Sequence, residues 1–308
     1  MIIAAGLTPA WQQIVRFDGF RPGEVNRAID VHWCASGKVL NVALALAHLG
    51  APCETIALLG GPPQAQIERE FASLGISRHW VPAHWSTRTC TTILDTRTGQ
   101  ATELVENAGP VTEAELQEFA AVYARRVAQA QFAILAGSLP RGAPENFFRE
   151  LLEHTPCRAI LDIRGAELIA ALKCRPFLVK PNREELGRTV GQELSSDARL
   201  RDAMRQLNAD GAEWVVVSDG THPIWISTQD RLYRITPPDA KVLNPIGSGD
   251  CLAAGIALGL TTGESALDAI RLGVAAAVEN VVQLLPARID SHAVRVRAKS
   301  ILVEAISS

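Results

Sequence analysis

Asn244-Pro245-Ile246-Gly247-Ser248-Gly249-Asp250 runs without a break into Cys251-Leu252-Ala253-Ala254-Gly255-Ile256-Ala257-Leu258. The second half is small and apolar throughout, the composition of a buried helix. The first half puts two glycines and a carboxylate at the start of that helix. Glycines leave backbone N–H groups uncovered, and the helix dipole adds partial positive charge, so the position suits a phosphate. Asp250 stands beside those donors, where a carboxylate can take a proton from an attacking hydroxyl. A plain glycine turn with an aspartate at the helix start gives the same string, so the rest of the chain has to decide.

Working outward, short apolar runs rich in β-formers occur at Ile2–Ala5, Thr55–Leu59, Phe132–Ala136, Ala159–Ile163, Phe177–Val179 and Trp214–Ser218. Helix-period patterns lie between several of them. Thr112 and Glu115 form a capping box ahead of Leu116, Phe119, Tyr123 and Val127 on one face. Pro144 is expected to open a helix carrying Phe147, Phe148, Leu151 and Leu152, and a third helix runs from Ser196 through Leu200, Met204 and Leu207. Alternating strand and helix predicts an α/β fold with a mostly parallel sheet covered on both faces. Ligands bind such sheets outside the carboxyl ends of the strands. Gly60-Gly61, Gly137-Ser138, Gly165 and Asp219-Gly220 fall at that edge. Residues 11–34 and 86–107 break the pattern and alternate like exposed strands, with a hairpin turn at Arg97-Thr98-Gly99. They predict a small β-sheet standing off a core made of residues 1–10, 35–85 and 108–308. Its expected use is a lid over the sheet edge; a homodimer through the same sheet is equally physical.

Composition narrows the class. The 308 residues are 47% hydrophobic and 20% charged, with a net charge of −3, which favours neither nucleic acid nor an anionic membrane as partner. The six cysteines show no C-x-x-C spacing and are expected to be reduced, mostly buried thiols in a cytoplasmic protein. Met1–Gly6 lacks a basic region and is too short for a signal peptide. No stretch is long and apolar enough to span a bilayer.

Several segments, in order along nearly the whole chain, resemble the ribokinase-type (PfkB) sugar kinases, and specifically the 1-phosphofructokinase and tagatose-6-phosphate kinase branch. They are Leu7-Thr8-Pro9-Ala10, Gly23-Glu24-Val25-Asn26-Arg27, Ser36-Gly37-Lys38-Val39-Leu40-Asn41-Val42-Ala43, Thr102–Glu106 with Gly109-Pro110, Gly137-Ser138-Leu139-Pro140-Arg141-Gly142, Lys180-Pro181-Asn182-Arg183-Glu184-Glu185-Leu186, and Asn244–Asp250 itself. The resemblance implies a ribokinase-like three-layer α/β/α core with a β lid, and ATP and Mg²⁺ as cofactors. It implies transfer of a phosphoryl group to a phosphorylated ketose, with fructose 1-phosphate or tagatose 6-phosphate foremost. A kinase for an unphosphorylated sugar or nucleoside, or a non-catalytic sensor on the same fold, stays open beside it.

At matching positions the resemblance implies Asp250 as the base and Gly247, Ser248 and Gly249 as the anion hole. Lys180 would approach the ATP phosphates. Ser218, Gly220 and Asn280 would line the nucleotide, and Asn182 and Glu185 would organise Mg²⁺ through water. Toward the acceptor it implies Gln12, Gly37, Lys38, Asn41, Arg27, Arg88 and Ser138; Arg164 and Arg141 could add further cations, although a solvated surface arginine is the commoner case for each. Clustered cations suit an acceptor that already carries a phosphate. This side also departs from the pattern. Gln12 stands where the branch has an aspartate, Ser36 and Val39 replace glycines, and Thr221-His222-Pro223 replaces a glycine beside the nucleotide. A valine at a position built for positive φ would be strained.

Overall fold

The protein is described from a computed structural model covering residues 1–306. Seven strands form a parallel run: β1 (Ile2–Gly6), β4 (Cys53–Leu59), β5 (Ser77–Pro82), β8 (Phe132–Ala136), β9 (Arg158–Asp162), β10 (Leu178–Val179) and β11 (Trp214–Asp219). Their order in the sheet is β5-β4-β1-β8-β9-β10-β11, and β12 (His222–Ser227), β13 (Leu232–Ile235) and β14 (Glu304–Ile306) extend it antiparallel at one edge. These three edge strands and β5 are not apparent as apolar runs in the sequence. Edge strands face solvent more, and polar residues such as Arg78 and His222 dilute their pattern.

Side chains along each central strand alternate between two cores. Ile2 and Ala4 of β1 face one side, and Ile3 and Ala5 face the other. A strand buried on both faces must read as one continuous apolar run. The first core is covered by α1 (Lys38–His48), α2 (Pro63–Ser73), α8 (Ser248–Thr261), α9 (Ala266–Val281) and α10 (Ser291–Ala298). The second is covered by α3 (Glu113–Val127), α4 (Phe147–Glu153), α5 (Gly165–Leu172), α6 (Arg183–Val190) and α7 (Asp197–Asp210). This is the three-layer ribokinase-like arrangement. Thr112 and Glu115 make the expected capping box, and Ser196 caps α7. The helix expected to open at Pro144 begins at Phe147 with Asn146 as cap, because Pro144 sits in the preceding turn and its carbonyl accepts the Phe147 amide at 2.9 Å.

A separate four-stranded sheet has the order β3-β2-β6-β7, from β2 (Ala10–Phe17), β3 (Asp30–Ser36), β6 (Arg88–Asp95) and β7 (Ala101–Val105). At the hairpin between β6 and β7, the Gly99 amide donates to the Asp95 carbonyl at 2.8 Å. The register puts Gln12, Cys90, Thr92 and Glu103 on one face. Farther along the sheet, Ile14, Cys34 and Leu94 form a small core, against which Leu284 and Leu285 pack from the loop after α9. Val31, Trp33 and Leu104 are exposed, with Trp33 stacked on Trp11 at 6.2 Å.

The strain expected at Val39 does not arise. Val39 lies inside α1, fully buried, and its Cβ occupies space left by Gly6, where an added methyl would come within 3.0 Å. The positive φ falls at Gly37, at +86°. All six cysteines are free thiols, and Cys157 and Cys174 are the two not buried. Among the described residues no helix is long and apolar enough to cross a membrane.

Candidate active site

The carboxyl ends of the parallel strands, the start of α8 and the inner face of the small sheet enclose two adjoining cavities. One, of about 680 Å³, is walled by Ile224, Pro237, Val242, Leu252, Val274, Val278 and Val281. The other, of about 490 Å³, is polar and takes in Gln12, Gly37, Lys38, Asn41, Arg88, Glu103, Ser138, Asp162, Arg164, Lys180, Asn182, Glu185 and Asp250. Ser218, Gly220, Pro245, Ser248 and Gly249 line both, so the α8 N-terminus sits at their border.

Gly247 caps α8 in the left-handed region at φ +84°, and no side chain caps the helix. A methyl there would also come within 2.9 Å of Pro286, so conformation and space both require glycine. The Gly249 and Asp250 amides meet no backbone carbonyl. They are the uncovered donors that a helix start leaves for an anion.

Asp250 is buried and accepts a 2.7 Å hydrogen bond from Asn41 Nδ2. Burial, followed by the charge of Asp162, pushes its carboxyl up to about 7, against opposing pulls from Lys38, the Asn41 bond and Lys180. A carboxyl poised there can both accept and release a proton near neutrality. Asn41 Oδ1 is buried without a partner.

Asp162, at the end of β9, organises the cations. Lys38 Nζ donates to its Oδ1 at 2.7 Å, and Lys180 Nζ lies 3.1 Å from its Oδ2. Lys38 also donates to Glu185 Oε1 at 3.1 Å. Burial works against the charged form of Asp162, but Lys180 and Lys38 outweigh it and hold the carboxyl below its ordinary value. Lys38 is in turn held well above its ordinary value: Asp162, Glu185 and Asp250 together overcome the desolvation.

Several expectations need correction. Lys38 is not a free cation awaiting a phosphate, because two carboxylates hold it. Arg27 is exposed in the loop before β3 and lines neither cavity. Arg141 is the solvated surface arginine that its type favours, exposed outside both cavities. Asn280 neither lines the apolar cavity nor lies on the helix surface. It is fully buried, its Nδ2 donates to the Ile246 carbonyl at 2.8 Å, and its Oδ1 accepts the Ala287 amide at 2.6 Å. Asn182 and Glu185 do line the polar cavity, as expected of them; they also form a capping box at the start of α6 through Asn182 Oδ1 and Glu185 Oε2, with Glu185 Oε1 toward Lys38.

The arrangement also brings in residues the sequence reading did not single out. Asp162 carried a signal: a carboxylate ending a central strand, just before Gly165. Glu103 comes in from the small sheet, with its carboxyl raised by desolvation against the charge of Arg88. The Arg88 guanidinium lines the polar cavity while donating to the carbonyls of Thr8 at 3.1 Å, Pro9 at 3.3 Å and Glu106 at 3.3 Å. Gln12 does face this cavity, and its Nε2 donates to Thr92 Oγ1 at 2.8 Å.

The uncovered amides at the start of α8 thus stand between an apolar and a polar cavity, with the buried Asp250 carboxyl beside them. The chain belongs to the pfkB family of carbohydrate kinases, whose model matches residues 6–287. Among solved structures, phosphofructokinase-2 from Escherichia coli in complex with substrates and products is 25% identical over 96% of this chain and 98% of that one, with a TM-score of 0.85. A protein described as a possible 1-phosphofructokinase from Thermotoga maritima is 19% identical over all of both chains, with a TM-score of 0.91. Ribokinase from the same organism is 18% identical over 97% of this chain and 99% of its own, with a TM-score of 0.78.

Proposed function

We propose that this carbohydrate kinase transfers the γ-phosphoryl group of ATP to a hydroxyl of a phosphorylated ketose, with fructose 1-phosphate the foremost candidate. The carrying observation is the border position of Ser248 and Gly249 between the two cavities. A nucleotide whose base fills the apolar cavity would bring its terminal phosphate to the uncovered amides of α8. An acceptor in the polar cavity would then face both that phosphate and Asp250. Asp250 takes the hydroxyl proton as the oxygen bonds to phosphorus, the bond to the leaving phosphate oxygen breaks, and ADP departs. The amides stabilise charge on the transferring group. Asn41 Oδ1, without a partner, is the natural acceptor for a sugar hydroxyl. Ser138 lines the same wall.

The phosphorylated acceptor is supported by Arg88 and Arg164. Arg88 is held by neutral carbonyls, and Arg164 has only a 3.9 Å contact with Glu185. Both guanidinium groups keep charge for a phosphate.

The donor set also fits Mg²⁺. Among the described residues no three carboxylate, histidine or cysteine groups converge to cage an ion. Mg²⁺ is commonly held by nucleotide phosphates and water, and would then ask the protein only for carboxylates that accept from that water. Glu185 and Asp162 would be the protein's acceptors for that water, and the ion would neutralise phosphate charge. The small sheet acts as a lid in this reading, and its exposed Val31, Trp33 and Leu104 are the surface for a second copy of the chain.

ADP release across a panel of free sugars and sugar phosphates tests the proposal. Turnover with ketose phosphates above all free sugars is expected. ATP binding without ADP release on any member would favour a sensor, and preference for a free sugar would reject the phosphate assignment.

A further inference from the structure

The loop from Leu284 to Arg288 lines neither cavity, yet it touches the frame of the site on two sides. On the α8 side, the Leu284 carbonyl accepts from Asn244 Nδ2 at 2.8 Å, and Pro286 packs where Gly247 has no room for a side chain. Ala287 is fully buried with φ +64°, a backbone region unfavourable for a residue with Cβ. Its amide is held by Asn280, which also holds Ile246. On the small-sheet side, Leu284 and Leu285 pack on the Ile14, Cys34 and Leu94 core. Arg288 Nη2 donates to the Ala35 carbonyl at 3.1 Å and is paired with Glu70, whose Oε2 accepts the Ala35 amide at 2.6 Å. The guanidinium also donates back to the Pro286 carbonyl.

Both backbone groups of Ala35 are thus taken by one ion pair. Ala35 lies where β3 leaves the small sheet, two residues before Gly37 and the start of the helix that carries Lys38 and Asn41. An ion pair serving only general stability would have no reason to bracket a single junction peptide. We propose that Glu70 and Arg288 are positioning residues. They fix the junction of the small sheet and, through Leu284–Ala287, hold the Gly247–Asp250 amides in the geometry that receives the phosphoryl group. Neither touches substrate, so neither is a catalytic residue.

The test combines amide hydrogen exchange with kinetics on the full chain carrying Arg288→Ala, Glu70→Ala or both. Within 246–250, exchange should quicken at the bonded amides of Ile246 and Ser248, as well as at 30–37, and remain unchanged in β8 and β9. In the same variants kcat should fall by about tenfold or more, as loosened transition-state donors would cause, while the KM for ATP stays near wild type because the apolar cavity is untouched. The double variant should be no worse than the poorer single, since the two residues act as a unit. If Arg288→Ala does not fold, Arg288→Lys keeps the charge, but its single nitrogen cannot replace both Nη1 on the Pro286 carbonyl and Nη2 on Ala35 and Glu70, and it should show the same selective exchange. Wild-type exchange at 246–250 with wild-type kcat, or quickening spread over the whole chain, would overturn the proposal. The kinetic arm rests on the kinase reading and the exchange arm does not. An inactive wild type with the selective exchange response would therefore reject that reading and leave this one standing.

Discussion

The start of α8 presents backbone to the cavities, while the inner face of the small sheet presents side chains. At Gly247–Asp250 the donors are amides whose position follows from a helix start and a left-handed glycine. Across the polar cavity, the small sheet contributes Gln12, Arg88 and Glu103, each tied to or influenced by neighbouring residues. Lys38 and Asp162 hold each other from the core side. A backbone cradle tolerates little change in sequence, because a Cβ at Gly247 would strike Pro286. A side-chain surface can exchange partners residue by residue and still hold together. Of the departures from the family pattern, Gln12 and Ser36 line the polar cavity, Val39 packs inside α1 against Gly6, and Thr221 lines the apolar cavity.

The sharpest way to break this comparison is at the base. Asp250→Ala should lower kcat by about 10²–10⁴-fold, the span for losing a general base, with little change in nucleotide affinity because the amides stay. Near-normal kcat in a folded variant would remove Asp250 from the chemistry.

Asp162→Asn probes the charge frame instead. It leaves buried Lys180 without its carboxylate, and breaking such a pair from one side costs about 3–5 kcal/mol. The Asp162 carboxyl is held below its ordinary value, so its stabilisation is present above the unfolded pKa and is lost as pH falls through the lowered folded value. Urea unfolding should show the deficit at pH 7 and a shrinking one toward acid. A deficit independent of pH would point to packing rather than charge.

Gln12→Asp sharpens the acceptor side. A carboxylate can still accept from the Thr92 hydroxyl and would accept from a sugar hydroxyl more strongly. One hydrogen bond to a charged group is worth ~1.5–3 kcal/mol. The KM for fructose 1-phosphate should fall accordingly. A rise would mean the amide is tuned to that sugar, and no change for any sugar would take Gln12 out of acceptor binding.

The smallest effect is expected in the small sheet itself. Hydrogen exchange in residues 11–34 and 86–107 should slow when sugar phosphate and a non-hydrolysable nucleotide are bound together, as closure to exclude water requires. Protection limited to Gly247–Asp250 would argue against a lid.

The same contrast governs what could be read in advance. Strands β1, β4, β8 and β11 were legible because burial on both faces forces unbroken apolar runs. The glycine start of α8 was legible because Gly247 needs a left-handed φ and has no room for a side chain against Pro286. Partner choice was not. Lys38 reads as a cation for phosphate until the fold brings Asp162 from far along the chain to within 2.7 Å of it. Asn280 reads as a ligand contact or a surface residue until the loop after α9 folds back over its side chain. Arg27 carries a motif position but no contact with the cavity, since the motif marks a loop whose course sequence alone does not describe.

A buried carboxyl poised near neutrality beside the uncovered α8 amides is central to the proposed chemistry, and the pH dependence of kcat/KM tests it most directly. Asp250 must be ionised to act, and burial together with Asp162 pushes its carboxyl up to about 7. Wild-type kcat/KM, which reports the free enzyme, should rise about tenfold per pH unit below that value and level off above it. Removing the Asp162 charge should move the acidic limb to lower pH. The same raised value means folding stability is fully present below the unfolded carboxyl pKa and declines as pH rises through about 7. Asp250→Asn should therefore be more stable than wild type at pH 8. A flat wild-type profile from pH 5 to 8, or a limb that stays in place in the Asp162→Asn variant, would contradict the central claim.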